Sequence, residues 1–367
     1  MPHAIKRAAR LLVQNVDAPL LGALLLLIGT GLFTLYSASG ASPVRVTAQT
    51  VNVLIALGIM WGVALVPTQH LMRAAVPLYM FGFALLIGVA LFGDVVNGAR
   101  RWLNLGVTRI QPSELMKVAV PMMLAWFFAR KDTALRLRDF FLAAVLLLAP
   151  VLLIARQPDL GTALLIAASG FYVLFLAGLS WKVMLGLGAA ALASLPVLWS
   201  VMHDYQRRRV LTLLDPSADP LGAGYHTIQS TIAVGSGGVS GKGWLNGTQS
   251  HLDFLPERTT DFIFAVYAEE FGLVGNLLLI AMYLLVIGRG FYIAANATTL
   301  FGRLLAGGIT LTFFTYAFVN IGMVSGILPV VGVPLPLISY GGTSMVSLLL
   351  GFGILMGIHT RKTLVTT

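Results

Sequence analysis

The run Pro19-Leu20-Leu21-Gly22-Ala23-Leu24-Leu25-Leu26-Leu27-Ile28-Gly29-Thr30-Gly31-Leu32-Phe33-Thr34-Leu35 carries no charged side chain. With its flanks it reaches the roughly 20 residues that a helix needs to cross the hydrocarbon core of a bilayer. Lys6, Arg7 and Arg10 precede it and the small residues Ser37-Ala38-Ser39 follow, an order that superficially resembles a secretory signal. The run is too long for one and similar runs follow, so it reads as a retained first membrane helix. Ten such stretches are expected, at about 19 to 37, 47 to 66, 75 to 93, 113 to 129, 140 to 155, 160 to 178, 182 to 202, 261 to 288, 304 to 325 and 343 to 359. Pro121, Pro150 and Pro196 fall inside them, as membrane helices tolerate when neighbours satisfy the freed backbone groups.

Composition agrees: 57% of the 367 residues are hydrophobic and only 10% charged, against about a quarter charged in soluble domains. The expected fold is an all-α polytopic membrane protein of one domain, residues 1–367, with about ten transmembrane helices and one long external loop, about 203–260. A net charge of +10 would suggest nucleic acid in a soluble protein; here basic residues near helix ends explain part of it, and nucleic acid is not expected as a partner. Cysteine is absent, which excludes disulfides and thiol chemistry. The long loop must then be ordered by packing, a ligand or a partner.

An even number of spans puts both termini on one side. Lys6, Arg7, Arg10, Arg130, Lys131 and Arg289 crowd that side, which the positive-inside rule makes cytoplasmic. The opposite, external side still keeps ten basic residues, Arg45, Arg100, Arg101, Arg109, Arg156, Arg207, Arg208, Arg209, Lys242 and Arg258. That excess asks for an anionic ligand.

Chemistry is therefore sought on the external loops. The glycine-rich stretch 235–243 has neither the spacing nor the final Ser/Thr of a P-loop; it reads as irregular turns, with backbone N–H groups as an alternative anion site. The six histidines show no zinc-like spacing, and no metal ligand is assigned, though a divalent cation (Mg or Mn) bridging a carboxylate and a phosphate stays open. Ser113 is placed as an N-cap, and Glu114 and Lys117 share one helix face just inside the membrane, as a mutually satisfied pair or as a polar cavity wall. Trp102, beside Arg100 and Arg101, suits an interface belt or a sugar-stacking platform. Asp159 either caps the next helix or holds a metal or an acceptor hydroxyl. Arg207-Arg208-Arg209 offers lipid-headgroup contact or phosphate binding. Asp253, Glu257 and Asp261 recur at intervals of four, with Pro256 arguing against one continuous helix.

Taken in order, Arg101-Trp102-Leu103, Gln111-Pro112-Ser113-Glu114-Leu115-Met116-Lys117, Gln157-Pro158-Asp159-Leu160-Gly161-Thr162, Gly241-Lys242-Gly243-Trp244, Thr260-Asp261-Phe262-Ile263-Phe264 and Val331-Gly332-Val333-Pro334-Leu335-Pro336 resemble the SEDS family (shape, elongation, division and sporulation). The resemblance runs nearly the whole chain. It implies a peptidoglycan glycosyltransferase that polymerises lipid II at the outer face of the bacterial plasma (inner) membrane. The implied partners are a class B penicillin-binding transpeptidase and other membrane proteins of the elongation machinery. It further implies Asp261 as the catalytic residue, read here as the general base of an inverting transfer. Arg101 and Lys117 are expected at the donor diphosphate, with Trp102, Glu114, Asp159, Arg207, Arg208, Arg209 and Lys242 as further substrate-binding candidates. The family often has His two residues before that Asp, where this chain has Thr259. Two other classes fit the residues: a lipid II flippase, and a non-catalytic scaffold for the transpeptidase.

Overall fold

The computed structural model describes residues 16–96, 99–104, 109–131, 134–202, 207, 210–213, 215–218, 223–251, 255 and 257–360. Its helices are α1 (Ala18–Ala38), α2 (Pro43–Ala64), α3 (Thr68–Phe92), α4 (Pro112–Ala129), α5 (Leu137–Arg156), α6 (Leu160–Leu176), α7 (Trp181–Val201), α8 (Ala223–Ser236), α9 (Ile263–Ala295), α10 (Leu300–Val324) and α11 (Gly342–Thr360). A helix stands at each of the ten expected stretches, and seven of them are long and apolar enough to cross a membrane. Between α3 and α4 the chain forms a small antiparallel sheet, β1 (Asp94–Val96), β2 (Ala99–Asn104) and β3 (Arg109–Ile110), where only a loop was expected.

Large apolar side chains such as Leu26, Leu54, Phe141, Leu152, Leu164 and Leu185 point outward from the bundle. In water that would be costly. Against lipid it is neutral, so packing, small residues and hydrogen bonds hold the helices together instead. α10 lies at the centre and touches α4, α6, α9 and α11; α2 pairs with α11, and α1 with α9. At the end of the bundle where α9 and α11 finish, Arg289 grips Asp17 with both Nε (2.9 Å) and Nη2 (2.6 Å), and His359 Nε2 lies 3.2 Å from the same carboxylate. Asp17 at the start of α1 thus pairs with Arg289 of α9 and lies beside His359 of α11.

α9 is broken at Gly272 (φ 62°, ψ −159°), a conformation that favours glycine. The 237–243 stretch fills the break. Lys242 and Gly243 donate their backbone N–H groups to the carbonyls of Glu269 and Glu270 (3.0 and 2.9 Å), while Leu273 and Val274 donate to the carbonyls of Gly238 and Val239 (2.9 and 3.1 Å). Broken backbone at membrane depth is stable only when protein satisfies it in this way. A Cβ on Gly241 would come 2.1 Å from the Glu270 oxygen, so glycine is required there. The N–H groups at 242 and 243 that were an alternative anion site are spent on this splice, and the turn reading holds.

Candidate active site

The 93–111, 156–160, 257–262 and 325–341 segments all emerge at the same end of the bundle, because α3, α5 and α10 finish where α4, α6, α9 and α11 begin. Asp261 sits in the turn before α9. The turn closes through Thr260 and Phe262 N–H donated to the Glu257 carbonyl (3.0 and 3.2 Å), with Glu257 itself left-handed (φ 51°). Phe262, not Asp261, is the N-cap of α9 and makes no side-chain cap bond. Among the described residues no hydrogen bond reaches the Asp261 carboxylate. Burial first, and the negative charge of Glu257 second, push its pKa up to about 6. A helix-capping acid would be held down instead, so the bland reading of Asp261 fails on geometry.

The backbone beneath it is tied down three times in succession. Tyr340 N–H donates to the Thr259 carbonyl (2.9 Å), Ser339 Oγ to that of Thr260 (2.6 Å) and Asn320 Nδ2 to that of Asp261 (2.8 Å). The 331–333 stretch crosses directly over the acid, since a Cβ on Gly332 (φ 72°) would lie 3.3 Å from Asp261 Oδ2. The other flank of that stretch meets α6, where a Cβ on Gly161 would lie 2.6 Å from the Val331 oxygen. Asp159 is the N-cap of that helix, two residues before Gly161. It caps α6 through Thr162 N–H (3.3 Å), receives Gln111 Nε2 (3.4 Å), and has Arg101 Nε at 3.9 Å. Arg101 also donates from Nη2 to the Pro158 carbonyl (2.7 Å) and keeps 38% of its side chain exposed, with Trp102 half-buried beside it on β2.

Glu114 and Lys117 are a satisfied pair at 2.6 Å, with Ser347 Oγ on the second Glu114 oxygen (2.9 Å) and the Tyr316 ring 5.2 Å from the Lys117 ammonium. Tyr316 packs with Leu165 and Val333, and one turn further along α10 comes Asn320. α10 thus joins the Glu114–Lys117 pair to Asp261.

Other expectations fare differently. Ser113 lies inside the first turn of α4, whose N-cap is Gln111; Pro112 at the first helical position starts the helix two residues earlier than a serine cap requires. Lys242 is not drawn to this cluster: its ammonium binds Glu269 Oε1 (2.7 Å) and Thr248 Oγ1 (2.8 Å), securing the splice. Arg207 covers the Trp199 and Ser200 carbonyls at the end of α7 (2.9 and 2.8 Å). Arg208, Arg209, Asp253 and Pro256 lie outside the described residues. In place of the histidine absent at Thr259, His226 of α8 stacks on Phe262 (centroids 5.7 Å apart, 18° between planes), and burial lowers its pKa. Reading residue types missed Asn320 and Tyr316, although a lone amide in an apolar span was a signal.

The model of the FtsW/RodA/SpoVE cell cycle protein family matches residues 18–364. The chain belongs to the SEDS family. It is 53% identical over 350 residues to the peptidoglycan glycosyltransferase MrdB of Escherichia coli K12, covering 95% of this chain and 94% of that one. It is 31% identical to the peptidoglycan glycosyltransferase RodA of Treponema pallidum, covering 95% and 99%. Among solved structures it is similar to a chain described under structural coordination of polymerization and crosslinking by a peptidoglycan synthase complex, at TM-score 0.82, 34% identity and coverage of 94% and 97%. It is also similar to the rod shape determining protein RodA of Thermus thermophilus, at TM-score 0.71, 31% identity and coverage of 94% and 96%. This SEDS chain is thus a multi-pass membrane protein whose relatives are named as peptidoglycan glycosyltransferases.

Proposed function

We propose that this SEDS protein is a peptidoglycan glycosyltransferase that polymerises lipid II at the outer face of the bacterial inner membrane, with both termini cytoplasmic. It works beside a class B penicillin-binding transpeptidase and other elongation-machinery membrane proteins. The activity rests on the names of its relatives and on a fold shared over 94% of the chain. The observation that carries the chemistry is the Asp261 carboxylate, half-buried, without a hydrogen bond among the described residues and with a pKa near 6.

An alcohol attacks well only when its proton has a destination. Asp261 takes the proton of the acceptor sugar's 4-hydroxyl as that oxygen bonds to the anomeric carbon of the donor. The bond from that carbon to the polyprenyl diphosphate breaks with inversion, and the diphosphate leaves with the electron pair. A pKa near 6 makes Asp261 a stronger base than an ordinary carboxylate while leaving it mostly ionised at neutral pH. Diphosphate leaves without protonation, so a second carboxylic acid is not required, unlike ordinary glycoside hydrolysis. Arg101, exposed and only partly committed, suits the departing charge; Lys117, already neutralised by Glu114, acts as a weaker counter-charge. Among the described residues no three acidic or histidine side chains converge. A divalent cation would then be held chiefly by substrate phosphates, with one or two carboxylates, as Mg²⁺ accepts.

Asp261→Asn, purified and given labelled lipid II, should lose glycan synthesis by about 10²-fold or more while binding lipid II normally. Substantial polymer from the well-folded variant would end the general-base assignment. Headgroup crossing in liposomes, measured separately on wild type, would replace polymerase with transporter if it occurred without polymer.

A further inference from the structure

Asn320 is fully buried in the last third of α10. Its two amide hydrogens are both used, one on the Asp261 carbonyl (2.8 Å) and one on the Val333 carbonyl (2.7 Å). This orientation is forced, because the flipped amide would face two acceptors with its own oxygen. Each carbonyl belongs to irregular backbone at the end of a membrane bundle, where no regular structure satisfies it and an unmade bond is expensive. The carboxylate of Asp261, by contrast, is steered by no side-chain hydrogen bond among the described residues. Its place is set through its own backbone and through Gly332, which lies against Oδ2.

We propose that Asn320 is a positioning residue for Asp261: one side-chain amide ties Asp261 to the 331–333 stretch, and so seats the carboxylate in its half-buried place without spending a hydrogen bond on the carboxylate itself. This rests on the reading of Asp261 as the general base. The design has a chemical reason. A donor placed directly on the carboxylate would stabilise its ionised form and weaken it as a base, whereas a donor on the carbonyl of the same residue fixes geometry and leaves basicity intact. Among the described residues, ionisable neighbours of the seat include Glu257 and Arg258 in the same turn, His226, stacked on Phe262 from α8, and Tyr340, whose N–H holds the Thr259 carbonyl; none replaces the tie that Asn320 makes.

The test compares Asn320→Leu, which keeps the branched shape and heavy-atom count and removes the donors, with Ser339→Ala, which cuts the neighbouring tie to the Thr260 carbonyl. Asn320→His retains one N–H donor, and Asp261→Asn is run alongside. If Asn320 only supports the fold, Asn320→Leu and Ser339→Ala should lose activity in proportion to lost melting temperature, with the acid limb of the pH–rate profile unmoved; that result overturns the proposal. If it seats the base, Asn320→Leu lowers kcat about tenfold or more with KM within about twofold. Its acid limb moves to lower pH by about half a unit or more, because a carboxylate that leaves its seat regains water. Ser339→Ala, which frees only the neighbouring carbonyl, moves the limb less than Asn320→Leu does, and Asn320→His falls between wild type and Asn320→Leu. Should Asn320→Leu not fold, Asn320→His decides: an unmoved limb at wild-type kcat overturns the tie. An active Asp261→Asn that retains the acid limb defeats the general-base reading itself. Wild-type behaviour of Asn320→Leu beside an inactive Asp261→Asn defeats only the seat.

Discussion

Asp261 is held in a place that costs the folded protein something. Its carboxyl, ordinarily near 3.8, titrates near 6 because burial and Glu257 both disfavour its charge. A group raised on folding contributes stability that is fully present below its unfolded value and is lost as pH rises through its folded value. Asp261→Asn removes that pH-dependent loss. The melting temperature of the variant relative to wild type should therefore rise between about pH 4 and about pH 7, read by thermal scanning in one detergent. The wild-type polymerisation rate moves the other way, falling as pH drops through about 6. A capping aspartate, held down rather than pushed up by its helix, predicts a relative melting temperature that stays level or falls over that range, since asparagine caps about as well as aspartate; that outcome would restore the capping role.

At the scale of the element, α4 shows how a charged pair inside a membrane helix combines structural and chemical roles. Glu114 and Lys117 are 2.6 Å apart with most of both side chains buried. Lys117→Met alone strands a buried carboxylate, a change that typically costs about 3 to 5 kcal/mol, whereas replacing both partners is much milder. The double variant Glu114→Gln/Lys117→Met should recover most of the melting temperature lost by Lys117→Met. If the Lys117 charge assists the departing diphosphate, the double variant still polymerises at least about tenfold more slowly than wild type. Recovery of full activity along with stability would reduce the pair to scaffolding. The break in α9 makes the complementary point. Lys242 looked like a phosphate ligand because it lies in a glycine-rich external loop, yet the fully buried Glu269 claims its partly exposed side chain and the loop's N–H groups complete the broken helix.

The whole molecule is arranged so that its irregular backbone gathers at one end and its Asp17–Arg289–His359 clamp at the other. A cysteine-free chain makes the orientation directly measurable. Ser217, exposed within the polar loop, and Asn296, exposed in the turn between α9 and α10 at the clamp end, are the positions to test. A cysteine at Ser217 should react with an impermeant thiol reagent in intact cells, and one at Asn296 only after permeabilisation. The reverse pattern would invert the topology and move Asp261 to the cytoplasmic face.

The sequence by itself determined where ten of the helices lie, because membrane helices are dictated by local apolar runs and each segment satisfies its own backbone bonds; α8 lies within the stretch read as loop, about 203–260, where no apolar run marks it. The residues around Asp159 and Asp261 stood out as charges at the mouths of apolar helices, but capping explained them equally well, and the role of Asp261 came from the family resemblance. Only the tertiary structure decided which charges serve each other. Arg101 with Asp159, Lys242 with Glu269 and Arg289 with Asp17 are separated by 58, 27 and 272 positions in the chain, and no periodicity encodes such pairings. It also decided the seat of Asp261. Three consecutive carbonyls are held by Asn320, Ser339 and Tyr340 from 59 to 81 residues away, because irregular backbone can be satisfied only by whatever the folded chain brings to it.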